Sequence, residues 1–452
     1  MVDMKIIQTN KGLDIPISGS PKQEIRQGNQ VSKVALIGDD YVDMRPTMLV
    51  DEGDRVKIGQ PLFTDKKNEG VLFTSPGCGI VQSINRGEKR KFESLVIELD
   101  GEENISFFNP SSTRVEKMGP EEIRPLLINS GMWTSFRTRP YGKVPGVASL
   151  PSSLFITAVD TSPLAADPQV IIGCYEKEYQ LGLSILQQLL PVPIHYCTGA
   201  DELLPAEKYN NISYYSFQGP HPSGLPSTHI HFIDPVHEQK SVWHIGYQDV
   251  IGIGHLFSTG HLLTEKIISL AGPATLNASL IKTRSGAFLP DICRQEISLD
   301  DLRIISGSVL NGRESKDNVT FLGRYHDQIS VLVESSGRSF FNWAMPGRDR
   351  FSIKPVFSSA FRKHMTFPFN TALWGGKRAI FPLDTYDQVM PLDIIATSLL
   401  KALTTGDTEK SKDLGCLELI EDDVALCGFV CAGKNEFGAA LRQTLTTIEL
   451  GY

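Results

Sequence analysis

The sequence predicts several packed domains of α/β and β type, and three observations carry that prediction. The first third is written as short apolar runs separated by turn residues. The middle alternates buried-type strands with amphipathic helix, and the end carries two amphipathic helices. At 452 residues the chain exceeds what one hydrophobic core organises, so three or four domains are expected.

Runs at 34–37, 48–50, 56–58, 61–63, 71–73, 80–84 and 95–99 are apolar or alternating. Glu52-Gly53-Asp54, Gly59-Gln60, Asn68-Glu69-Gly70 and Pro76-Gly77-Cys78-Gly79 separate them as turns. Such close spacing signals a small sandwich or barrel. A short helix follows over 121–130, with Glu121 and Glu122 at its positive end. The run 154–159 reads as a buried strand, and over 176–190 Tyr179, Leu183, Leu186 and Leu190 share one helical face. Runs 193–197 and 229–233 read as further strands, which argues for a parallel sheet; glycine, proline and serine make 216–227 a loop. Short strands return at 276–283, 296–298, 303–310 and 329–333. Amphipathic helices are expected at 392–403 and 436–450, with a polar connector at 406–412 between them.

The formal net charge of −8 argues against a general nucleic-acid binder, since phosphate contacts need an excess of Lys and Arg. It gives no reason to expect adsorption to anionic lipid through charge. No run approaches the roughly 20 apolar residues that cross a bilayer. The best, 424–432, follows Glu421, Asp422 and Asp423. Residues 1–11 include Asp3 and Lys5 and lack a signal-peptide core. A cytoplasmic chain is expected, with any membrane association through a partner. Seven cysteines, odd in number and without framework spacing, read as reduced thiols.

Glu52-Gly53-Asp54, Gly59-Gln60-Pro61-Leu62 and Ser75-Pro76-Gly77-Cys78-Gly79-Ile80-Val81 resemble the biotinyl/lipoyl barrel-sandwich. Carriers of that fold want Met-Lys-Met or Asp-Lys-Ala on a tight turn. Asp65-Lys66-Lys67-Asn68 matches only Asp-Lys, so the fold is expected without the prosthetic group.

A wider resemblance rests on Lys11-Gly12-Leu13-Asp14-Ile15-Pro16-Ile17 with Tyr41-Val42-Asp43-Met44-Arg45-Pro46. It continues in Trp133-Thr134-Ser135-Phe136-Arg137-Thr138-Arg139-Pro140 and Gly219-Pro220-His221-Pro222-Ser223-Gly224-Leu225-Pro226. Val242-Trp243-His244-Ile245, Tyr247-Gln248-Asp249-Val250-Ile251 and Phe321-Leu322-Gly323-Arg324-Tyr325-His326 complete it. In this order, across nearly the whole chain, these segments resemble the A subunits of the sodium-pumping NADH:quinone oxidoreductases.

The resemblance implies four parts. An N-terminal segment and a barrel-sandwich occupy 1–102, and a Rossmann-like α/β domain related to the flavin subunit of respiratory complex I occupies 103–262. A β-grasp, SLBB-like domain occupies 263–335, and a partly helical region occupies 336–452. It also implies a complex with five other subunits, which carry the flavins and iron–sulfur centres, oxidise NADH and conduct sodium. This chain would sit on the cytoplasmic face of the bacterial inner membrane, chiefly against the membrane quinone/flavin subunit. It would bind no cofactor, with ubiquinone as the substrate of the complex.

Residues 133–141 are the first candidates for quinone contact. A quinone head needs an aromatic slot and a donor for each carbonyl oxygen. Trp133 and Phe136 could supply the slot, Arg137 or Arg139 could donate charge-assisted hydrogen bonds, and Tyr141 closes the candidate segment. The same cluster would equally serve as a partner interface, with Trp133 filling a core.

Four other patterns fall short of a site. Gly252-Ile253-Gly254-His255 lacks a third glycine and an acid at the right distance, so it reads as a close-packed glycine turn beneath a sheet. Gly428-Phe429-Val430-Cys431-Ala432-Gly433-Lys434-Asn435 ends on Asn where a phosphate loop needs Ser or Thr. Cys416, Cys427 and Cys431 lack the fourth thiolate of a cluster. His221, His229, His231, His237 and His244 gather in sequence; His229 and His231 would share a strand face, but pairing with Asp234 or backbone is the expected role. A carrier protein bearing biotin or lipoyl, or a flavin-containing NADH dehydrogenase, are the rival readings.

Overall fold

The computed structural model describes residues 4–110, 115–200, 211–297, 301–335, 346–362, 364–373, 375–381 and 384–451. The N-terminal sandwich packs a three-stranded sheet (Pro46–Met48, Pro61–Asp65, Leu72–Thr74) on a four-stranded one (Lys33–Ile37, Phe92–Leu99, Gly79–Arg86, Arg55–Val56). Val34, Leu36, Leu62, Phe63, Phe73, Val81 and Ile97 fill the space between them. The run Val34-Ala35-Leu36-Ile37 is apolar throughout because both its faces are covered. Val34 and Leu36 face the sandwich core, while Ala35 and Ile37 pack with Val96 and Phe321.

The second sheet has the order Met4–Gln8, Ile212–Gln218, Ile194–Thr198, Leu154–Ala158, Val242–Gly246, Arg137–Arg139. All neighbours are parallel except the last pair. Helices Glu176–Leu189 and Tyr247–Thr259 lie against each other beside it. Gly252 and Gly254 thus sit inside a helix, where a glycine turn was expected. A Cβ on Gly254 would fall 1.7 Å from the Glu178 carbonyl oxygen, and one on Gly182 would fall 2.1 Å from that of Val250. The glycines let the two helices touch backbone to backbone. The run 229–233 is likewise helical, within Pro226–Ile233, and the strand of this region is Ile212–Gln218. Five residues, three of them apolar, fit either element, and Pro226 in the first helical turn decides it.

The third sheet has the order Arg313–Glu314, Leu302–Ser306, Gln328–Val333, Glu265–Ala271, Ser279–Arg284, Lys22–Gln27. The strand expected at 296–298 is reduced to one bridge between Thr275 and Ile297, and Ser298 lies outside the described residues. Two edge strands come from the N-terminus. Met4–Gln8 pairs with Ile212–Gln218, and Lys22–Gln27 pairs with Ser279–Arg284. Residues 4–27 therefore strap the second and third sheets together before the sandwich begins.

Helices Thr385–Val389, Ala396–Thr405, Thr408–Asp413, Glu421–Val430 and Phe437–Glu449 enclose Leu399, Leu403, Val424, Cys427, Leu441 and Leu445. The polar connector contains a helix of its own. Gly406, at φ 72°, ends the preceding helix, and the Asp407 carboxylate caps the next by accepting from the Lys410 N–H at 3.1 Å.

Candidate functional site

Strand Leu154–Ala158 has the next strand in the chain, Ile194–Thr198, on one side and the later Val242–Gly246 on the other. The order of strands reverses there, and open α/β sheets bind ligands outside the carboxyl ends of strands at such a point. A cavity of about 570 Å³ lies at that place. Thr157, Asp160, His244 and Tyr247 line it from the second sheet and its helix, Tyr41 comes from the sandwich, Arg324 and Tyr325 from the loop before strand Gln328–Val333, and Asp422 from the helical region.

Its walls are tied across the domains. Arg324 Nη2 donates to Asp249 Oδ1 at 2.6 Å and to Ser135 Oγ at 3.0 Å, and Ser135 itself donates to Asp249 at 3.1 Å. The Arg324 N–H reaches Asp40 at 2.7 Å, which also accepts from Arg313 at 2.6 Å. Burial works against the Arg324 charge, but Asp249, Tyr325 and Tyr41 outweigh it and raise its pKa. Tyr325 donates from its hydroxyl to the Thr134 carbonyl at 2.7 Å, meets Tyr41 edge-on at 6.1 Å, and carries Arg137 over its ring at 4.8 Å.

Several groups in the cavity remain unspent. Thr157 is 8% exposed, and its buried Oγ1 has no hydrogen-bond partner. Burial pushes the Asp160 carboxyl up to about 6, against the pull of the Ser162 N–H at 2.8 Å. The lining holds Arg137, Lys266, Arg313 and Arg324 against a larger set of carboxylates: Asp39, Asp40, Asp160, Asp249, Glu265, Asp327, Glu421 and Asp422. That balance suits an uncharged ligand better than a phosphate.

Of the five expected site residues, only Arg137 lines this cavity. Trp133 is 0% exposed, donates from Nε1 to the Pro145 carbonyl at 2.9 Å, and packs with Phe136 and Trp243 at 5.4 and 5.5 Å. Phe136 is equally buried, so neither ring offers a slot. Arg139 is 1% exposed and donates to Ser227 Oγ at 3.1 Å and His244 Nε2 at 2.8 Å, with its pKa pushed down to about 10 by burial. Tyr141 is half-buried, and its carbonyl accepts from Arg442 Nη1 at 2.6 Å. Sequence reading passed over Thr157, Asp160, Asp249 and Tyr325. The carboxyl-end rule would have found the first three, because each ends or follows a buried strand.

The weaker motifs resolve into structure. His229 donates from Nε2 to the Ser223 carbonyl at 3.1 Å inside the core, while His231 Nδ1 pairs with Glu418 at 2.8 Å. Helical spacing turns the two side chains apart, where a shared strand face was expected. Lys434 donates to the Phe429 carbonyl at 3.0 Å. The segment begins in the last turn of helix Glu421–Val430 and leads to helix Phe437–Glu449, whereas a phosphate loop leaves a strand. Cys416, Cys427 and Cys431 are buried, and Cys431 Sγ accepts from the Tyr386 hydroxyl at 3.1 Å. Lys67 is paired with Asp43.

Three family models cover most of the chain: the NqrA N-terminal barrel-sandwich hybrid domain over 7–100, the NqrA second alpha/beta domain over 118–262, and the NQRA C-terminal domain over 267–317. The A subunit of the Na(+)-translocating NADH-quinone reductase of Actinobacillus pleuropneumoniae serotype 5b (strain L20) is 49% identical over 447 residues, 98% of this chain and 99% of that one. The chain belongs to the family of these A subunits. Its counterpart of the same name in Haemophilus influenzae (strain ATCC 51907 / DSM 11121 / KW20 / Rd) is 48% identical over 98% of this chain and 99% of its own length. That of Yersinia pestis bv. Antiqua (strain Angola) is 48% identical with the same coverage. A chain of an NAD+-reducing [NiFe]-hydrogenase overlays at a TM-score of 0.39 and 10% identity, over 76% of this chain and 68% of that one, which is too distant to carry an argument. Among the described residues of this member of the reductase family, no helix is long and apolar enough to cross a membrane.

Proposed function

We propose that this chain is the peripheral subunit that borders the quinone site of the reductase, on the cytoplasmic face of the bacterial inner membrane, and that it carries no redox centre. With five other subunits it would serve the coupling of ubiquinone reduction by NADH to Na+ export. Electrons reach the quinone from a flavin on a partner, and reduction to quinol takes up two electrons and two protons. The isolated chain oxidises no NADH.

The observation that carries the reading is the cavity at the strand-order reversal, with Arg137 over Tyr325 at its edge. A quinone ring stacks on tyrosine, the Arg137 guanidinium donates to one carbonyl oxygen, and the Thr157 hydroxyl is unspent. Asp160, pushed up to about 6, is partly protonated just below neutrality and suits proton delivery. Trp133 and Phe136 then act beneath the site by anchoring the segment that presents Arg137, while Arg139 ties that segment to helix Pro226–Ile233 and Tyr141 ties it to the helical region.

The test is steady-state kinetics of the assembled complex carrying Arg137→Met or Tyr325→Leu. A charge-assisted hydrogen bond of about 1.5–3 kcal/mol predicts a rise in the quinone KM of roughly tenfold or more. NADH oxidation by an artificial acceptor stays unchanged. A quinone KM equal to wild type in both variants overturns the reading.

A further inference from the structure

The formal net charge of −8 conceals a reversal near the C-terminus. Residues 346–381 hold seven Lys and Arg against a single acid, Asp349. We infer that this stretch is a docking surface for the anionic headgroup layer of a lipid bilayer.

Its inner side chains anchor it at one end of helix Glu421–Val430. Phe351 stacks on Phe429 at 6.3 Å and meets Phe367 and Phe369, both at 6.0 Å. The first half closes into a compact loop, with Ser358 N–H donating to the Pro346 carbonyl at 2.9 Å and Gly347 seated against the Phe357 ring. The second half lies on the turn after the same helix, where Gly375 meets Lys434 and Asn435 donates to the Arg378 carbonyl at 3.5 Å. Both halves therefore gather at one end of the helical region.

The outer side chains combine cation with apolar surface. Arg348, Lys354, Arg362, Lys377 and Arg378 are exposed, and none has an ion-pair partner among the described residues. Between them Phe361 is 91% exposed, Val356 and Leu373 70%, and Phe381 57%. The exposed acids nearby are Asp349, Asp384 just beyond the stretch and, on the underlying turn, Glu436, against five exposed cations. Of the twelve large apolar side chains exposed among the described residues, these four are concentrated in one stretch beside the cations, and such a concentration marks an interaction surface. Cations that stay in the headgroup layer while rings enter the acyl boundary are the chemistry of an interfacial anchor. An acidic protein surface would match the cations but leave the apolar tips less well served.

Vesicle flotation of the full chain tests this, with phosphatidylcholine alone and with phosphatidylcholine containing phosphatidylglycerol. Binding is expected only to the anionic vesicles, and it weakens as salt rises. The Lys377→Glu/Arg378→Glu variant should weaken it by about tenfold or more, since each basic residue near the surface contributes roughly fivefold. Arg348→Glu/Lys354→Glu repeats the test in the other half, and Phe361→Ser reads the apolar part. All three keep the wild-type unfolding midpoint, because the residues are exposed. Absence of flotation, equal flotation with neutral vesicles, or full binding by the variants each overturns the inference. The same holds if the substitutions block assembly with partner subunits while the chain ignores lipid, which would make this face a protein interface.

Discussion

Arg324 and Asp249 meet at 2.6 Å, joining the third sheet to the helix that opens after strand Val242–Gly246. Sequence separates them by 75 residues, and Ser135 bridges both. Their side chains are 23% and 17% exposed, so solvent screens the pair only in part. Arg324→Met or Asp249→Asn alone is expected to cost about 2 kcal/mol, below the ~3–5 kcal/mol of a fully buried pair. The double variant Arg324→Met/Asp249→Asn should recover part of the loss. A double-mutant cycle in denaturant reads the coupling, and additive losses would remove the pair from any role in holding the domains.

Helix contact makes a second prediction. Gly254→Ala places a methyl 1.7 Å from the Glu178 carbonyl oxygen, so helices Glu176–Leu189 and Tyr247–Thr259 must move apart. The expected cost is at least about 3 kcal/mol. Gly173, in helix Pro168–Cys174, has nothing within 4 Å of its added methyl. Gly173→Ala should stabilise by roughly 0.5–1 kcal/mol through helix propensity. Thermal unfolding of the two variants should therefore move in opposite directions.

Buried His229 predicts an acid weakness. Burial pushes its imidazole down to about 3, against an ordinary 6.5, and its hydrogen bond to Ser223 only partly resists. The unfolded chain therefore takes up the proton first as pH falls. Stability from this group is complete above about 6.5 and is lost progressively on acidification towards 3. At pH 5 the loss is about 2 kcal/mol. His229→Gln keeps a donor for Ser223 and cannot take the proton, so its unfolding free energy should fall less between pH 7 and pH 5. An unchanged slope would locate the acid sensitivity elsewhere.

Thiol chemistry offers a direct check of the packing. Cys174 is exposed, whereas Cys78, Cys197, Cys293, Cys416, Cys427 and Cys431 are buried and unbridged. Burial also raises the pKa of Cys197, Cys293, Cys416 and Cys427. A disulfide reagent should titrate Cys174 rapidly in the native protein and the other thiols only after unfolding. Rapid reaction of Cys427 would contradict the helical core.

Local pattern reached the elements whose partners are implicit in their periodicity. The sandwich strands alternate or run apolar, and Tyr179, Leu183 and Leu186 mark the face that helix Glu176–Leu189 buries. It failed for helix Tyr247–Thr259, where Gly252 and Gly254 resemble a turn until Glu178 is brought against them. It failed again at His229 and His231, because a run of five residues is too short to separate a helical period from a strand's alternation. Lys22–Gln27 reads as polar because it is an edge strand, and its partner Ser279–Arg284 lies some 250 residues away.

The sequence by itself determined the domain types and, through segments spread along nearly the whole chain, the family. Tertiary structure decided which members of the aromatic–arginine segment could meet a ligand. Strand Arg137–Arg139 pairs with Val242–Gly246, which leaves Arg137 at the cavity and sets Arg139 under Ser227 and His244. Trp133 and Phe136 go into the core because Trp243 closes over them. Exposure of a side chain is a property of its neighbours, and here the deciding neighbours come from about 100 residues further along the chain.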